Sequence, residues 1–442
     1  MAFACIYIPD FLVQSVVRAE PQLRDRALAL LSGKPPLWSV LAATPAAMEA
    51  GIQLGMTKSQ AAEFSAVEIR HRAEPREKAA RAALLDVAWS VSPRVEDTAA
   101  DTMVLDLEGL ASLFGSQETI AQELARRVSA IGLVPRIAIA DNIEVAILAA
   151  RGFPGTTVIP QGGECRRLSS LPVDVLATQT EILEILERWG LDTLGALAAL
   201  PVLQVSERLG QEGVRLHELA RGARQRSLLL VQPSSRFAEE MELDDAVEEL
   251  EPLSFLLGRL LDQLCARLET RALAARAIHV CFELEPSFEK DFQSLREDSR
   301  KKAAIKRYTK VLSLPVPLRK SKTLLKLLRL QLQADPPPAP IQKIILIADS
   351  AVPRIAQNGL FVPCAPDPEK LELTIARLAK LVGDGNVGSP EMLDTHRAEN
   401  FRMTRFYALR ERTKSQGKTD ASSKTCAPLA VNSRTSSGKT DS

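Results

Sequence analysis

FACIYIPDFLVQSVVRAEPQLRDRALALLS, residues 3–32, opens on a short apolar run that stops at Pro9, continues as a helical pattern over residues 11–17, and returns to an apolar run, ALALLS, at residue 27. The reading is strand, helix, strand. Asp10 follows the proline and is read as the cap of the helix beginning at Phe11. Farther along, PAAMEAGIQLGMTKSQAA (45–62) reads as two short helices around a Gly51 to Gly55 turn. Residues 75–91 form an amphipathic helix with Pro75 in its first turn, where a missing N–H costs nothing. MVLDL (103–107) reads as a buried strand, 119–131 as an amphipathic helix and 135–140 as another strand, so the first part of the chain is an α/β layer structure.

The pattern changes near residue 165. Short helical stretches fill 168–224, and in LERWGLDTLGALAALP (186–201) Gly190 and Gly195 bracket a tight connection between two of them, which makes a small all-α unit. VQPSSRF (231–237) is a polar linker carrying Pro233. Beyond it lie MELDDAV (241–247), a helix over 253–274, the strands IHVCFEL (278–284) and KVLSLPV (310–316), a helix over 321–333, and the strand IQKIILIA (341–348). That order is the split βαβ arrangement. After Leu409 the composition turns to Ser, Thr, Lys and Gly, and the tail is expected to be disordered.

A chain of 442 residues with 46% hydrophobic and 25% charged residues is long enough for several domains, each with its own core. No apolar run is long enough to span a bilayer, and the N-terminus has no basic region before Pro9 and Asp10, so a cytoplasmic protein without a signal peptide is expected. Cys5, Cys165, Cys265, Cys281, Cys364 and Cys426 show no C-x-x-C pair and are read as buried small hydrophobes. The net charge of +1 conceals a concentration of positive charge between Arg296 and Arg329, where twelve basic residues face only Glu297 and Asp298. Arg300, Lys301, Lys302, Lys306 and Arg307 form its densest part, suited to phosphate contact as a stripe on one domain. WGLDTLGALAALP resembles a helix-hairpin-helix, in which the turn from Gly190 to Thr193 lets backbone N–H groups approach a phosphate.

Catalysis by two Mg²⁺ ions requires carboxylates that converge. The candidates are Asp10, Asp101 and Asp106, but Asp101 precedes the MVLDL strand while Asp106 lies within it on the opposite face. His71, His217, His279 and His396 have no metal-ligand spacing. The chain offers DNA-binding parts without an evident catalytic centre.

YIPDFLVQSVVRAEPQLRDRALAL, PAAMEAGIQLGM, ADTMVLDLEGLASLFG and RIAIADNIEVAILAARG together resemble the Y-family (DinB/UmuC) translesion DNA polymerases, and more closely their ImuB-type branch. The resemblance covers about residues 3–410 and implies a right-hand architecture, α/β and α+β multidomain. The palm would be 1–30 and 75–164, the fingers 31–74, the helix-hairpin-helix thumb 166–228 and the little finger 236–350. A clamp- and partner-binding region would span 351–411 and a disordered tail 412–442.

Carried over residue by residue, the family's active-site pattern is broken. Tyr7 stands at the first metal-binding aspartate, Leu12 at the aromatic steric gate, and Asp101 and Thr102 at the adjacent Asp-Glu pair. Met48 and Ile147 stand where an arginine and a lysine would grip the triphosphate. Asp101 is the residual metal-position carboxylate, so the resemblance implies a pseudo-polymerase with no metal or other cofactor. It would act in damage-induced SOS mutagenesis as a DNA-binding adaptor for an error-prone replicative-type polymerase, together with an ImuA/RecA-like protein. The alternative is an active translesion polymerase using Mg²⁺ at a displaced metal site. Gln357, Leu360 and Phe361, in QNGLF, resemble the sliding-clamp motif of bacterial polymerases: two apolar anchors and an amide with both donor and acceptor.

Overall fold

In the computed structural model, the described residues are 2–233, 236–285, 307–353, 386–393 and 400–404, with single positions between 371 and 382. The N-terminal half runs β1 (Phe3–Tyr7), α1 (Phe11–Ala19), β2 (Leu28–Lys34), β3 (Leu37–Ala43), α2 (Pro45–Glu49), α3 (Lys58–Ala62), β4 (Glu68–His71) and α4 (Glu74–Val91). It continues through β5 (Val95–Ala99), β6 (Thr102–Asp106), α5 (Ala111–Phe114), α6 (Gln117–Ala130), β7 (Arg136–Ala140), α7 (Ile143–Gly152) and β8 (Thr156–Val158).

Strand β1 is the middle of a five-stranded sheet ordered β5-β6-β1-β7-β8. Its run FACIY is apolar throughout because both faces are covered. Ala4 and Ile6 join Met103, Leu105, Ile137 and Ile139 against α4 and α6. Cys5 joins Val104, Ala138 and Ala140 against α7 and the helices that follow it.

β2 does not enter this sheet. It pairs with β3 and, in parallel, with β4 to form a separate three-stranded sheet, and neither partner strand is evident in the sequence pattern. The β2–β3 hairpin requires glycine at position 33, where φ is +123° and a Cβ would lie 2.3 Å from the Leu37 carbonyl oxygen. The two short helices expected around Gly51 and Gly55 are present, each capped by a threonine: Thr44 accepts from Ala47 N–H, and Thr57 forms a capping box with Gln60.

Asp10 corrects an expectation. It occupies the cap position of α1, but its backbone is left-handed, with φ 48° and ψ 42°, and its side chain makes no capping bond. A capping side chain needs extended backbone to reach the first-turn N–H groups. Gln14 instead folds back, its amide donating to the Pro9 carbonyl at 2.7 Å.

The rest of the chain carries α8 (Glu164–Leu168), α9 (Thr180–Arg188), α10 (Leu194–Ala198), α11 (Val202–Ala220), β9 (Phe237–Val247), α12 (Leu250–Thr270) and β10 (Ala274–Leu284). It then carries β11 (Arg307–Leu318), α13 (Ser321–Ala334), β12 (Ile341–Ala351), β13 (Ser389–Met392) and β14 (Phe401–Thr404). The helical group α8–α11 matches the all-α reading, although α11 is broken at Gly210. The second sheet, ordered β11-β10-β12-β9 and covered by α12 and α13, is the expected split βαβ unit. Helix α12 ends at Thr270 rather than running to 274. Ala272 adopts φ 55°, and the Leu273 N–H turns back to the Leu268 carbonyl at 2.8 Å in a Schellman-type stop. Alanine gives no sequence signal for that stop, since glycine normally fills it.

Cys5 and Cys265 are buried as expected, but Cys165 is exposed and Cys281 half-buried; Cys364 and Cys426 lie outside the described residues. His71 lies against Trp38, His217 is buried, His279 pairs with Asp349, and His396 is outside the described residues. The tail beyond Leu409 also lies outside them. No helix among the described residues is long and apolar enough to cross a membrane.

The two α/β units meet through charge. On α12 and at its C-terminal cap, Gln263, Arg267 and Arg271 follow one another at helical spacing and turn towards α1 and α4. Arg267 donates to Asp86 at 2.7 Å and to Glu239 at 3.0 Å, Arg271 donates to Asp86 at 3.1 Å, and Arg18 approaches Glu239 at 3.5 Å. Burial drives the Asp86 carboxyl above its ordinary value, opposed by the Arg267 and Arg271 guanidinium groups. A strap ahead of the linker is fixed in the same manner. Arg226 grips Glu96 with two donors and Glu144 with a third, Leu229 N–H donates to Glu96, and Val231 N–H donates to the β5 carbonyl of Val95.

Removing one partner from a buried pair strands the other. Asp86→Ala should therefore cost about 3–5 kcal/mol in denaturant unfolding. A loss below about 1 kcal/mol, the range of solvent-exposed pairs, would contradict this reading of the interface.

Candidate functional site

The pairing of β1 sets the geometry of the site. Antiparallel register places Tyr7 opposite Thr102 on one side and opposite Arg136 on the other. Directly opposed side chains have Cβ atoms about 4.5–5.5 Å apart, so Thr102, Tyr7 and Arg136 form one row across three strands. Asp101 joins its end: the Ile8 N–H donates to the Asp101 carbonyl at 2.9 Å, and the Thr102 hydroxyl donates to the Asp101 carboxylate at 2.8 Å. The positions singled out as first aspartate and Asp-Glu pair thus meet at one end of the sheet, as Tyr7, Asp101 and Thr102.

The chemistry of this row is unlike that of a two-ion site. Thr102 is fully buried, while Tyr7, Asp101 and Arg136 are half-buried. Burial, and then the neighbouring Asp101 charge, raise the Tyr7 phenol above the ordinary tyrosine value, so it is a neutral hydroxyl at physiological pH. One step inward on the same face, burial raises the Cys5 thiol and keeps it protonated. One carboxylate, a phenol and a buried threonine do not fit a pair of Mg²⁺ ions, which need several charged oxygens between them. Among the described residues no group of three or more His, Cys, Asp or Glu side chains is placed to hold a metal ion.

Asp106 stands at the far end of β6, opposite Phe3, where Arg94 approaches its carboxylate at 2.7 Å. Its other oxygen accepts from the Glu108 N–H, so it organises a turn. Met48 is exposed on α2, Leu12 packs beside the Val13–Val16 cluster, and Ile147 is buried on α7.

Gly190 ends α9 with φ +70° and is exposed, with open space where a side chain would project. Thr193 caps α10 through the Ala196 N–H. The next two amides are already used, Leu194 N–H donating to the Leu171 carbonyl and Gly195 N–H to the Ser169 carbonyl. Arg300, Lys301, Lys302 and Lys306 lie outside the described residues; Arg307 opens β11 and pairs with Glu283 at 2.8 Å. The described part of the basic run does not form a single stripe. Arg307 lies with Glu283 on the sheet face away from the core, whereas Lys322, Lys326 and Arg329 line the exposed side of α13. Gln357, Leu360 and Phe361 lie outside the described residues. Arg136 and Arg151 carry no signal in the sequence, because the β1–β7 pairing brings Arg136 to Tyr7 and the end of α7 brings Arg151 to Arg136.

A family model described as impB/mucB/samB family matches residues 6–151. Protein ImuB of Caulobacter vibrioides (strain NA1000 / CB15N) is 30% identical over 206 residues, which are 47% of this chain and 45% of that protein. DNA polymerase IV of Ralstonia nicotianae is 30% identical over 276 residues, 60% of this chain and 76% of the polymerase. The solved structure of DinB from Sulfolobus solfataricus aligns with 80% of this chain and 100% of its own, at 14% identity and a TM-score of 0.46. The chain spans about half the length of the ImuB proteins it matches.

The raised Tyr7 phenol has a direct readout. In an alkaline absorbance titration, the difference between the unaltered chain and Tyr7→Phe should show tyrosinate forming only above the ordinary tyrosine range. Ionisation at or below the free value would mean that Tyr7 is not buried beside a carboxylate.

Proposed function

The chain belongs to the impB/mucB/samB family of Y-family polymerases, and from that membership we propose that it is a non-catalytic member, a DNA-binding adaptor in translesion synthesis. One observation carries the reading: the three positions at which the family resemblance places metal-binding carboxylates meet where β1 ends and β6 begins, as Tyr7, Asp101 and Thr102. A nucleotidyl transfer that depends on two cations cannot be assembled on one carboxylate. Met48 and Ile147 add to this, since neither can grip a triphosphate.

On this reading residues 1–30 and 75–164 act as palm, 31–74 as fingers, 166–228 as thumb and 236–350 as little finger. Affinity for DNA comes from the basic run around Arg300, Lys301, Lys302, Lys306 and Arg307 and from the thumb turn at Gly190 and Thr193. Gln357, Leu360 and Phe361 tie the adaptor to a sliding clamp, and the remaining surface serves an error-prone replicative-type polymerase and an ImuA/RecA-like partner.

Purified full chain given primer, template, Mg²⁺ and all four nucleotides should not extend the primer. Extension that Asp101→Ala abolishes would overturn the proposal. The chain should still bind the same primer–template, and neutralising the five basic side chains should flatten the log–log salt dependence by about 0.7–0.9 for each phosphate left without its cation. An unchanged slope would reduce the run to a solvated surface. The double substitution Leu360→Ala and Phe361→Ala should weaken clamp binding by about 2 kcal/mol or more and leave DNA binding intact; unchanged clamp affinity would remove the link to the clamp.

A further inference from the structure

The row beside Tyr7 carries more than lost carboxylates. Arg136, directly across from Tyr7, donates through Nη1 to the Arg151 carbonyl at 2.8 Å, so the two residues stand together where β7 begins and α7 ends. Arg151 itself reaches the Val175 carbonyl at 3.5 Å. Neither guanidinium forms an ion pair among the described residues, and both remain half-buried. Other arginines, among them Arg18, Arg81, Arg94, Arg226, Arg267 and Arg271, are committed to carboxylates. Of the charges acting on Tyr7, Asp101 is the strongest, then Arg151 and Arg136, with Asp10, outside the row, the weakest, so two guanidinium groups stand beside the row's single carboxylate. A place that in a two-ion enzyme must be strongly negative is here without that excess of negative charge, with its free hydrogen-bonding capacity on the donor side.

We propose that this place takes a phosphate group of the DNA backbone directly on the Arg136 and Arg151 guanidinium groups, with no bridging metal ion. The inference rests on the reading of the chain as a non-catalytic DNA-binding member of its family and assigns the vestigial site a use within that reading. Each guanidinium offers several N–H donors in a planar fork that matches two phosphate oxygens, and their carbonyl contacts leave most of those donors free. The neutral Tyr7 hydroxyl, on the same row, adds a donor. Asp101 opposes the phosphate, and its charge limits the affinity.

That opposition gives the test its sign. The full chain is titrated into a fluorescently labelled primer–template, once in EDTA and once in Mg²⁺, and anisotropy is read across a range of salt. Arg136→Gln and Arg151→Gln should each weaken binding several-fold in EDTA and lower the salt slope by about 0.9, whereas Arg136→Lys, which keeps the charge but not the fork, should keep the slope and recover only part of the affinity. Asp101→Asn should strengthen binding in EDTA. This arm does not depend on the arginine variants folding.

If both arginine substitutions leave affinity and slope unchanged, or if binding requires Mg²⁺ and is lost in Asp101→Asn, the site is not a direct phosphate site. Competition by a deoxynucleoside triphosphate in EDTA, lost in Arg136→Gln, would assign the phosphate to a nucleotide and overturn the assignment to DNA. Failure of the unaltered chain to bind DNA at all would overturn the adaptor reading too. Unaltered binding with indifferent arginine variants would overturn this inference alone.

Discussion

Strand β1 determines the rest of the site because its register is fixed on both sides at once. β6 and β7 pair with the same five residues, and Ala4, Cys5 and Ile6 are wholly buried, so a slip by one residue would turn Ile6 towards α7 and Cys5 towards α4. With that register locked, residue 7 can only lie between Thr102 and Arg136. What the site can do is then decided by the side chains at those positions, not by any freedom of the loops around them. A phenol, a threonine and a guanidinium flank one carboxylate at this end of the sheet.

The units around that sheet are held by ionic groups withdrawn from water. The Arg267–Asp86–Glu239 cluster joins α12 and β9 to α4, and the Arg226–Glu96–Glu144 cluster ties the strap behind α11 to β5 and α7. Burial works to raise the Glu96 carboxyl, but the Arg226 hydrogen bonds, the Leu229 N–H and the Thr98 hydroxyl outweigh it and hold the group below its ordinary value. Asp86 goes the other way, with burial prevailing over its arginines. One Glu239 oxygen is buried with no partner, so the α12 interface is incompletely satisfied whereas the strap's is complete. The α12 interface is specific in geometry while adding less to stability than its ion pairs suggest.

The sequence was legible where periodicity was strong. FACIYI, MVLDL, the helix over α4 and the order of the second α/β unit follow from apolar spacing alone, and PAAMEAGIQLGM and RIAIADNIEVAILAARG carried the family. β3 was not legible, because LWSVLAA leaves Leu37 and Leu41 exposed and reads as neither face of a strand. Ala272 stops α12 in a conformation that alanine rarely signals, and the left-handed Asp10 defeats a cap reading based on residue type. Of the candidate site, Tyr7, Asp101 and Thr102 could be named from motif position. Arg136 and Arg151 could not, since Arg136 meets Tyr7 only through pairing between strands more than a hundred residues apart, and Arg151 joins it from the end of α7.

On the proposed reading, two side chains, Tyr7 and Thr102, separate this sheet end from a two-metal site. The most direct measurement is Mn²⁺ titration calorimetry on the full chain beside the double substitution Tyr7→Asp and Thr102→Glu, which supplies the two absent carboxylates next to Asp101. The unaltered chain should give no tight two-ion isotherm, and the double variant should gain Mn²⁺ binding. Tight binding of two ions by the unaltered chain would contradict that reading.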